Sequence, residues 1–283
     1  MMTAASIPPA MLLAFVFLTG AAVGSFLNVC ISRWPLNLSV VRPRSRCPRC
    51  ERAITWYENL PILSWIALRG RCRGCHLPIS IQYPAVELGI ALLWVAAFAA
   101  FPSDWFLALR VAVFSTVLVG IAVTDLKHYL IPDGFTVFGL IWLFTTSLAA
   151  AMSGDPGMFA TPYDSLIGAC VGAGAISIIG WLGEVALGKE AMGFGDVTLM
   201  AVVGAALGPQ RALLTIFVGA GVGALVFLVI VAPIVWLRRR HAGDGPPGLP
   251  LVPFGVFLAP AALGTLLKGD VAIAWYLSRL GLR

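Results

Sequence analysis

Residues 211–237 of the chain read RALLTIFVGAGVGALVFLVIVAPIVWL, and the only charged side chain among them is Arg211 at the start. An α-helix rises about 1.5 Å per residue and needs about 20 apolar residues to cross the hydrocarbon core of a bilayer. This stretch is therefore long and apolar enough to form a transmembrane helix. Three arginines follow it at once, at positions 238–240, and basic residues commonly flank spans on the cytoplasmic side.

The rest of the chain has the same character. Of its 283 residues, 59% are hydrophobic and 11% are charged, whereas soluble domains are roughly 45–50% apolar and about 25% charged. A bilayer must therefore solvate most of the surface. Eight apolar runs predict an all-α polytopic membrane protein with about eight transmembrane helices: about 8–31, 83–102, 105–124, 134–152, 163–187, 196–209, 211–237 and 251–270.

The distribution of positive charge predicts which way the helices cross. Nine of the nineteen basic residues lie between Arg33 and Arg73, and all nine are arginines. Cytoplasmic retention of this charge explains the cluster better than a nucleic-acid-binding face, so we expect no nucleic acid partner. If each run crosses once, the N-terminus lies outside, and segments 125–133, 188–195 and 238–250 share the cytoplasmic side with the arginines.

Two cysteine pairs lie in the predicted cytoplasmic loop. Cys47 and Cys50 belong to CPRC, Cys72 and Cys75 belong to CRGC, and 21 residues separate the two motifs. Four soft thiolates on two tight turns match a tetrahedral structural zinc site. Disulfides and a redox pair are the alternatives, but the cytoplasm is reducing and two copies favour metal. The other cysteines, Cys30 and Cys170, are expected to be buried thiols.

Two aspartates mark the candidate catalytic site. Asp125 ends the third apolar run, and Asp196 begins the sixth run after the turn formed by Gly193 and Gly195. The parity of the spans places both acids at the same membrane face. An aspartate at a helix N-terminus is commonly a stabilising cap, which would suit Asp196. The same explanation fails for Asp125, because the dipole disfavours a carboxylate at a helix C-terminus.

A pair of neighbouring carboxyl groups is the machinery of aspartic proteases. Like charges a few ångströms apart do not both ionise cheaply, so the pair shares one proton. The ionised member can take a proton from attacking water while the protonated member donates one. Gly193 and Gly195 would let an extended substrate backbone come close beside Asp196, and would permit a positive φ if the turn needs one.

In these motifs and their order, the chain resembles the prepilin peptidases, the bifunctional leader peptidases and N-methyltransferases of type IV pili and type II secretion. The resemblance covers almost the whole length. Its pieces, in chain order, are GSFLNV at 24–29, RWP at 33–35, both cysteine pairs, QYPAVE at 82–87, Asp125 with IPD at 131–133, GFGD at 193–196 and PFG at 253–255.

The resemblance implies a function and assigns roles to residues. Such enzymes cleave the short basic leader from prepilin-like precursors and then methylate the new N-terminal amine with S-adenosylmethionine. The family's catalytic aspartates correspond to Asp125 and Asp196. Glu190 could receive the basic leader, with plain solvation the equal alternative, and Glu87 could serve substrate binding or methyl transfer. Relatives often have a lysine where this chain has Thr198, which affects local salt bridging more than activity.

The expected organisation follows from these assignments. Residues 1–31 would form the first transmembrane helix, 32–82 a cytoplasmic zinc-binding loop, and 83–283 a transmembrane aspartic peptidase domain. The resemblance implies the bacterial inner membrane, with prepilins or pseudopilins as partners. The oligomeric state stays open.

Two other functions remain possible at this point. The first is an ion- or proton-coupled transporter, because acids within membranes commonly line ion paths. It would place acids near mid-span, whereas Asp125, Asp133 and Asp196 lie at span ends. The second is a non-catalytic scaffold that docks partners of a secretion machine through the zinc loop.

Overall fold

A computed structural model of the chain describes residues 8–154, 157–188, 192–241 and 252–281. Regular structure in these ranges is helical, apart from two isolated antiparallel bridges in the loop after the first helix. The helices are α1 (Pro9–Arg33), α2 (Leu63–Ala67), α3 (Gln82–Ala100), α4 (Trp105–His128), α5 (Asp133–Ser153), α6 (Pro162–Leu187), α7 (Phe194–Leu207), α8 (Pro209–Val226), α9 (Ala232–His241) and α10 (Gly255–Arg279).

The predicted all-helical membrane fold is confirmed. Among the described residues, seven helices are long and apolar enough to cross a membrane: Pro9–Leu36, Gln82–Ala100, Trp105–His128, Asp133–Ser153, Pro162–Ala186, Pro209–Trp236 and Gly255–Arg279. The eighth predicted span is α7, an apolar helix of 14 residues. A π-helical turn, Phe227–Val231, joins α8 to α9 without a break.

The chain divides into two compact units, Met1–Gly120 and Ile121–Arg283, and the division falls inside α4. In the first unit, α1 packs against α3. A Cβ at Gly24 would lie 2.7 Å from the Cα of Glu87, so the glycine allows the two helix backbones to approach closely. The indole N–H of Trp94 donates to Thr116 Oγ1 at 3.0 Å and links α3 to α4.

In the second unit, α6 lies along α7. A Cβ at Gly168 would collide with the carbonyl of Gly204, and one at Gly172 with the carbonyl of Met200. Glycines of α6 therefore serve close helix packing. Gly174 is the exception, because a Cβ there would meet no atom within 4 Å.

The two cysteines outside the loop differ in exposure. Cys30 is buried at the end of α1, as predicted, whereas Cys170 is exposed on α6. The prediction of a buried thiol was wrong for Cys170 because an apolar run does not reveal which of its faces packs against other helices.

Candidate active site and metal centre

Asp125 lies in the last turn of α4, and its side chain is buried, with 6% of its surface exposed. Its Oδ2 accepts a hydrogen bond of 2.8 Å from the backbone N–H of Gly255 and a second one from Val256. These N–H groups belong to the first turn of α10, where helical N–H groups lack partners within their own helix. The start of α10 therefore compensates the unfavourable position of Asp125 at the C-terminal end of α4.

Asp196 lies in the first turn of α7 and is partly buried. The backbone N–H of Gly193 donates to its carboxylate, and the charge of Asp125 acts on it directly. Two acids from sequence-distant helices thus lie close enough to interact electrostatically.

Ile131 connects the motifs around the two acids. A Cβ at Gly195 would lie 2.9 Å from the Cβ of Ile131, and a Cβ at Gly255 would lie 3.4 Å from its Cδ1. Ile131 itself is buried. The segments that carry Asp125, Asp196 and Gly255 consequently pack around one side chain.

The two glycines before Asp196 have different surroundings. Neither adopts a positive φ, so the turn does not use the left-handed conformation that glycine permits. Gly195 leaves room for Ile131, whereas Gly193 is exposed and a Cβ there would meet no atom within 4 Å. Thr198 donates to the carbonyl of Gly195 at 2.9 Å and so bonds within its own helix.

The sequence reasoning assigned no role to Gly255, Val256 or Ile131. A signal for the first two was present, because PFG at 253–255 lies at the start of the last apolar run, and a helix start offers free N–H groups to an acid. Nothing in the sequence pointed to the helix on which that acid lies. Glu190, predicted to receive the basic leader, lies outside the described residues.

The four loop cysteines come together, as predicted. The Sγ atoms of Cys47, Cys50, Cys72 and Cys75 all lie within 4.8 Å of one another, with 3.9 Å between Cys47 and Cys75 and 4.0 Å between Cys50 and Cys72. A tetrahedral site with Zn–S bonds of about 2.3 Å has sulfur–sulfur edges of about 3.8 Å. The donor set and its spacing therefore suit a metal ion that prefers thiolates.

Each cysteine pair is held in the same local fold. The N–H of Cys47 donates to the carbonyl of Arg52, and the N–H of Cys72 donates to that of Leu77. The residues after the second cysteines, Glu51 and His76, have φ of 54° and 56°. The segments 46–53 and 71–78 thus form a repeat offset by 25 positions, which sequence reasoning missed because only the cysteines and the first arginine match.

Backbone N–H groups prepare these sulfurs for metal. The N–H groups of Cys50 and Arg49 hold the pKa of the Cys47 thiol at about 6, below its ordinary 9.0. Those of Cys75 and Gly74 lower the pKa of Cys72. Thiolates are the form that binds zinc, so the N–H groups of each turn favour the metal-binding state of its first cysteine. Burial and the neighbouring sulfurs instead raise the pKa of Cys75 to about 11.

Glu58 ties the two cysteine turns together. Its carboxylate bonds Arg52 at 3.0 Å, lies 3.7 Å from the guanidinium of Arg73, and accepts the N–H of Thr55 at 3.1 Å. The Thr55 N–H and the Arg52 guanidinium lower the pKa of the Glu58 carboxyl to about 2. Because Arg52 follows the first turn and Arg73 lies within the second, one anion holds both.

Glu87 lies on α3, with 8% of its surface exposed. Its Oε2 accepts the N–H of Ile62 at 2.7 Å, and the side chain of Ser25 also bonds its carboxylate. Ile62 has φ 62° and ψ −52°, and the N–H of Leu63 donates to the carbonyl of Pro61 at 2.6 Å, so residues 61–63 form a strained γ-turn. Glu87 therefore anchors this turn to α3.

Comparison with known proteins agrees with these features. The Bacterial Peptidase A24 N-terminal domain matches residues 18–101, and the Type IV leader peptidase family matches residues 112–229. A prepilin leader peptidase/N-methyltransferase of Myxococcus xanthus is 43% identical over 82% of this chain and 69% of the relative. Enzymes of the same name from Aeromonas hydrophila and Pseudomonas aeruginosa are 35% and 34% identical, over 95% and 96% of both chains.

No solved structure matches the chain. The two family models together cover the loop with both cysteine pairs and both aspartates, and the relatives from Aeromonas hydrophila and Pseudomonas aeruginosa align over 95% and 96% of both chains, which confirms the resemblance seen in the motifs. The chain belongs to the type IV leader peptidase family.

Proposed function

We propose that this protein cleaves the basic leader from type IV prepilin-like precursors and then methylates the new N-terminal amine. Asp125 and Asp196 are the proposed catalytic pair. The observation that carries the proposal is that the segments bearing these acids pack together: Gly195, beside Asp196, and Gly255 both lie against Ile131, and the backbone N–H of Gly255 donates to Asp125.

The proposed cleavage is general acid–base hydrolysis by the pair. The ionised carboxylate takes a proton from water as the water oxygen bonds to the scissile carbonyl carbon. The protonated carboxyl donates its proton to the carbonyl oxygen, and the carbon–nitrogen bond then breaks as the leaving amine gains a proton. The two groups titrate as a unit, so either can play either part.

The substrate is proposed to approach from the cytoplasmic face. The nine loop arginines favour the cytoplasmic side for the loop, and a precursor with a basic leader and an apolar stem presents its cleavage site at that same interface. Gly193 and Gly195 are the proposed neighbours of the substrate backbone, and Glu190 is proposed to receive the leader. The bacterial inner membrane is the proposed location.

Methylation is proposed to need the N-terminal part of the chain. Residues 32–82 would form a zinc-binding loop between a first span at 1–31 and a peptidase domain at 83–283, with Glu87 supporting substrate binding or methyl transfer by holding the γ-turn. S-adenosylmethionine is the proposed methyl donor. The described residues contain no glycine-rich turn from strand to helix of the kind that holds nucleotides, so none is assigned to the donor.

Purified protein in detergent, given a prepilin, tests the cleavage. We expect Asp125→Asn and Asp196→Asn each to abolish cleavage, because the one carboxyl group that remains cannot both take a proton from water and donate a proton to the carbonyl oxygen. Asp164→Asn is the matched control, since Asp164 lies in the first turn of α6 beside Gly208, at the opposite end of α7 from Asp196. Full activity in either site variant would refute the mechanism and leave a transporter or a scaffold as the better reading.

A further inference from the structure

An apolar groove between α8 and α10 plays no part in the proposed cleavage chemistry. It is a half-open cleft with a volume of about 350 Å³, lined by Leu214, Val218 and Val222 on α8 and by Phe257, Gly264 and Ala272 on α10, among others. Pro260, Gly264 and Ala272 on its α10 side are exposed. The groove is therefore open to the surroundings of the protein along its α10 side.

The groove begins at the end of α10 that carries the candidate active site. Phe257 is two residues beyond Gly255, whose N–H binds Asp125. From Phe257 to Ala272 the helix advances 15 residues, or about 22 Å at about 1.5 Å per residue. This length covers most of a hydrocarbon core of about 30 Å, so the groove runs from the aspartates across much of the membrane.

The shape of the groove suits a second helix. A Cβ at Gly264 would meet no atom within 4 Å. In contrast, side chains of α10 already occupy the space beside two glycines of α8: Leu258 lies against Gly219, and Phe257 lies against Gly223. Pro260, Gly264 and Ala272 are separated by multiples of four residues, so they lie on one face of α10. Small residues on one face allow close helix packing in membranes.

The positive charge of Lys268 favours one orientation of a helix bound in the groove. Lys268 is the one charged residue among the described lining residues, and it lies toward the end away from Asp125. A helix whose N-terminus lay at the aspartates would place its C-terminus toward this lysine. Free carbonyl groups at a helix C-terminus are stabilised by a nearby cation.

We propose that this groove holds the apolar stem of the precursor as a helix, which brings the peptide bond at its N-terminal end to Asp125 and Asp196. The inference rests on the proposed function and extends it to the substrate's membrane segment. The alternative occupant is a lipid acyl chain, which would fill the apolar walls without any register to the cleavage site.

Filling the groove tests the proposal. Gly264→Leu places a side chain in the open space, and Gly221→Leu is the control, because Gly221 is exposed on α8, meets no atom within 4 Å and does not line the groove. Each variant is given a full-length precursor and a short peptide that ends soon after the cleaved bond. We expect Gly264→Leu to lower the ratio of kcat/KM for precursor over peptide about tenfold, and Gly221→Leu to leave it unchanged. An unchanged ratio for Gly264→Leu, whether from no effect or from equal loss on both substrates, would indicate a lipid or packing role and overturn the proposal.

Cross-linking provides a readout independent of cleavage. Gly264 lies nine residues beyond Gly255, whose N–H binds Asp125. We therefore expect Gly264→Cys, in an Asp125→Asn and Cys170→Ser background, to form a disulfide with a precursor cysteine about nine residues after the cleaved bond. Gly221→Cys should not form it. Failure of Gly264→Cys with cysteines throughout the stem would refute the groove even if the wild-type enzyme cleaves. A wild-type protein that cleaves neither substrate would instead refute the proposed function, while the cross-link would still decide the groove.

Discussion

The carboxylate of Asp125 accepts a hydrogen bond of 2.8 Å from the backbone N–H of Gly255, a residue 130 positions away in the chain. Asp125 stands at the C-terminal end of α4, where the helix dipole opposes a negative charge. The start of α10 supplies the missing stabilisation. The position of one acid of the proposed pair therefore depends on a helix far along the chain.

Gly255→Ala should impair cleavage strongly. A Cβ at position 255 would lie 2.9 Å from Asp125 Oδ2 and 3.4 Å from Ile131, so the carboxylate or the helix must shift. Displacement of a catalytic group by about 1 Å can cost about 100-fold in rate, and we expect a loss of that order in kcat. Gly221→Ala should retain the wild-type rate, because its Cβ meets open space. Equal kcat in both variants would show that the Asp125–Gly255 contact is not needed for activity.

One zinc ion should be found per protein molecule by elemental analysis. Cys72→Ser should lose it, because it removes one of four thiolate ligands. Cys170→Ser should keep the metal, since Cys170 lies on α6 and is not part of the cluster. A native protein that contains no zinc, or that holds a different metal at this stoichiometry, would contradict the assignment.

Glu58→Gln should release zinc to a chelator about tenfold faster than the wild type, as is common for residues that support metal ligands. The amide cannot pair with both Arg52 and Arg73 as the carboxylate does. Release can be followed with a colorimetric chelator. Glu51→Gln is the control, because Glu51 is an exposed acid that directly follows Cys50.

This effect should be independent of pH near neutrality. A carboxyl whose pKa is lowered on folding stabilises the fold above its unfolded pKa of about 4.3. That contribution is lost only as the pH falls through the folded value of about 2. The ratio of release rates for Glu58→Gln and wild type should therefore be equal at pH of about 6 and about 8. A ratio that changes between these pH values would mean that another group controls the difference.

Glu87→Ala should make the loop more susceptible to protease than Glu87→Gln. The amide oxygen of glutamine can still accept the N–H of Ile62, whereas alanine leaves the strained turn at 61–63 without its anchor. Limited proteolysis followed by mass spectrometry would locate the cuts. Equal protection of this turn in both variants would show that the hydrogen bond does not hold it.

The same pair of variants separates anchoring from chemistry at Glu87. If Glu87 acts only as an anchor, Glu87→Gln should methylate cleaved precursor as the wild type does. If methylation is lost while the turn stays protected, the negative charge itself is required. The fraction of methylated product measured by mass spectrometry distinguishes the two.

The sequence alone determined that a bilayer surrounds the long helices, that the fold is helical, and that four cysteines form two local pairs. Apolar runs of about 20 residues can satisfy their backbone hydrogen bonds in a bilayer only as helices, which is why the helical fold could be predicted. The cysteine pairs could be predicted because each pair is local: three residues apart on a tight turn, its two sulfurs are side by side whatever the rest of the chain does.

Only the tertiary structure decided what surrounds the two aspartates. Hydrophobic periodicity does not reveal which faces of uniformly apolar helices meet, so the contact of Asp125 with Gly255 and the packing of Gly195 on Ile131 could not be predicted. The same physical reason explains the error at Cys170 and the unassigned groove between α8 and α10. In a membrane helix every face is apolar, and steric fit between side chains chooses the partner.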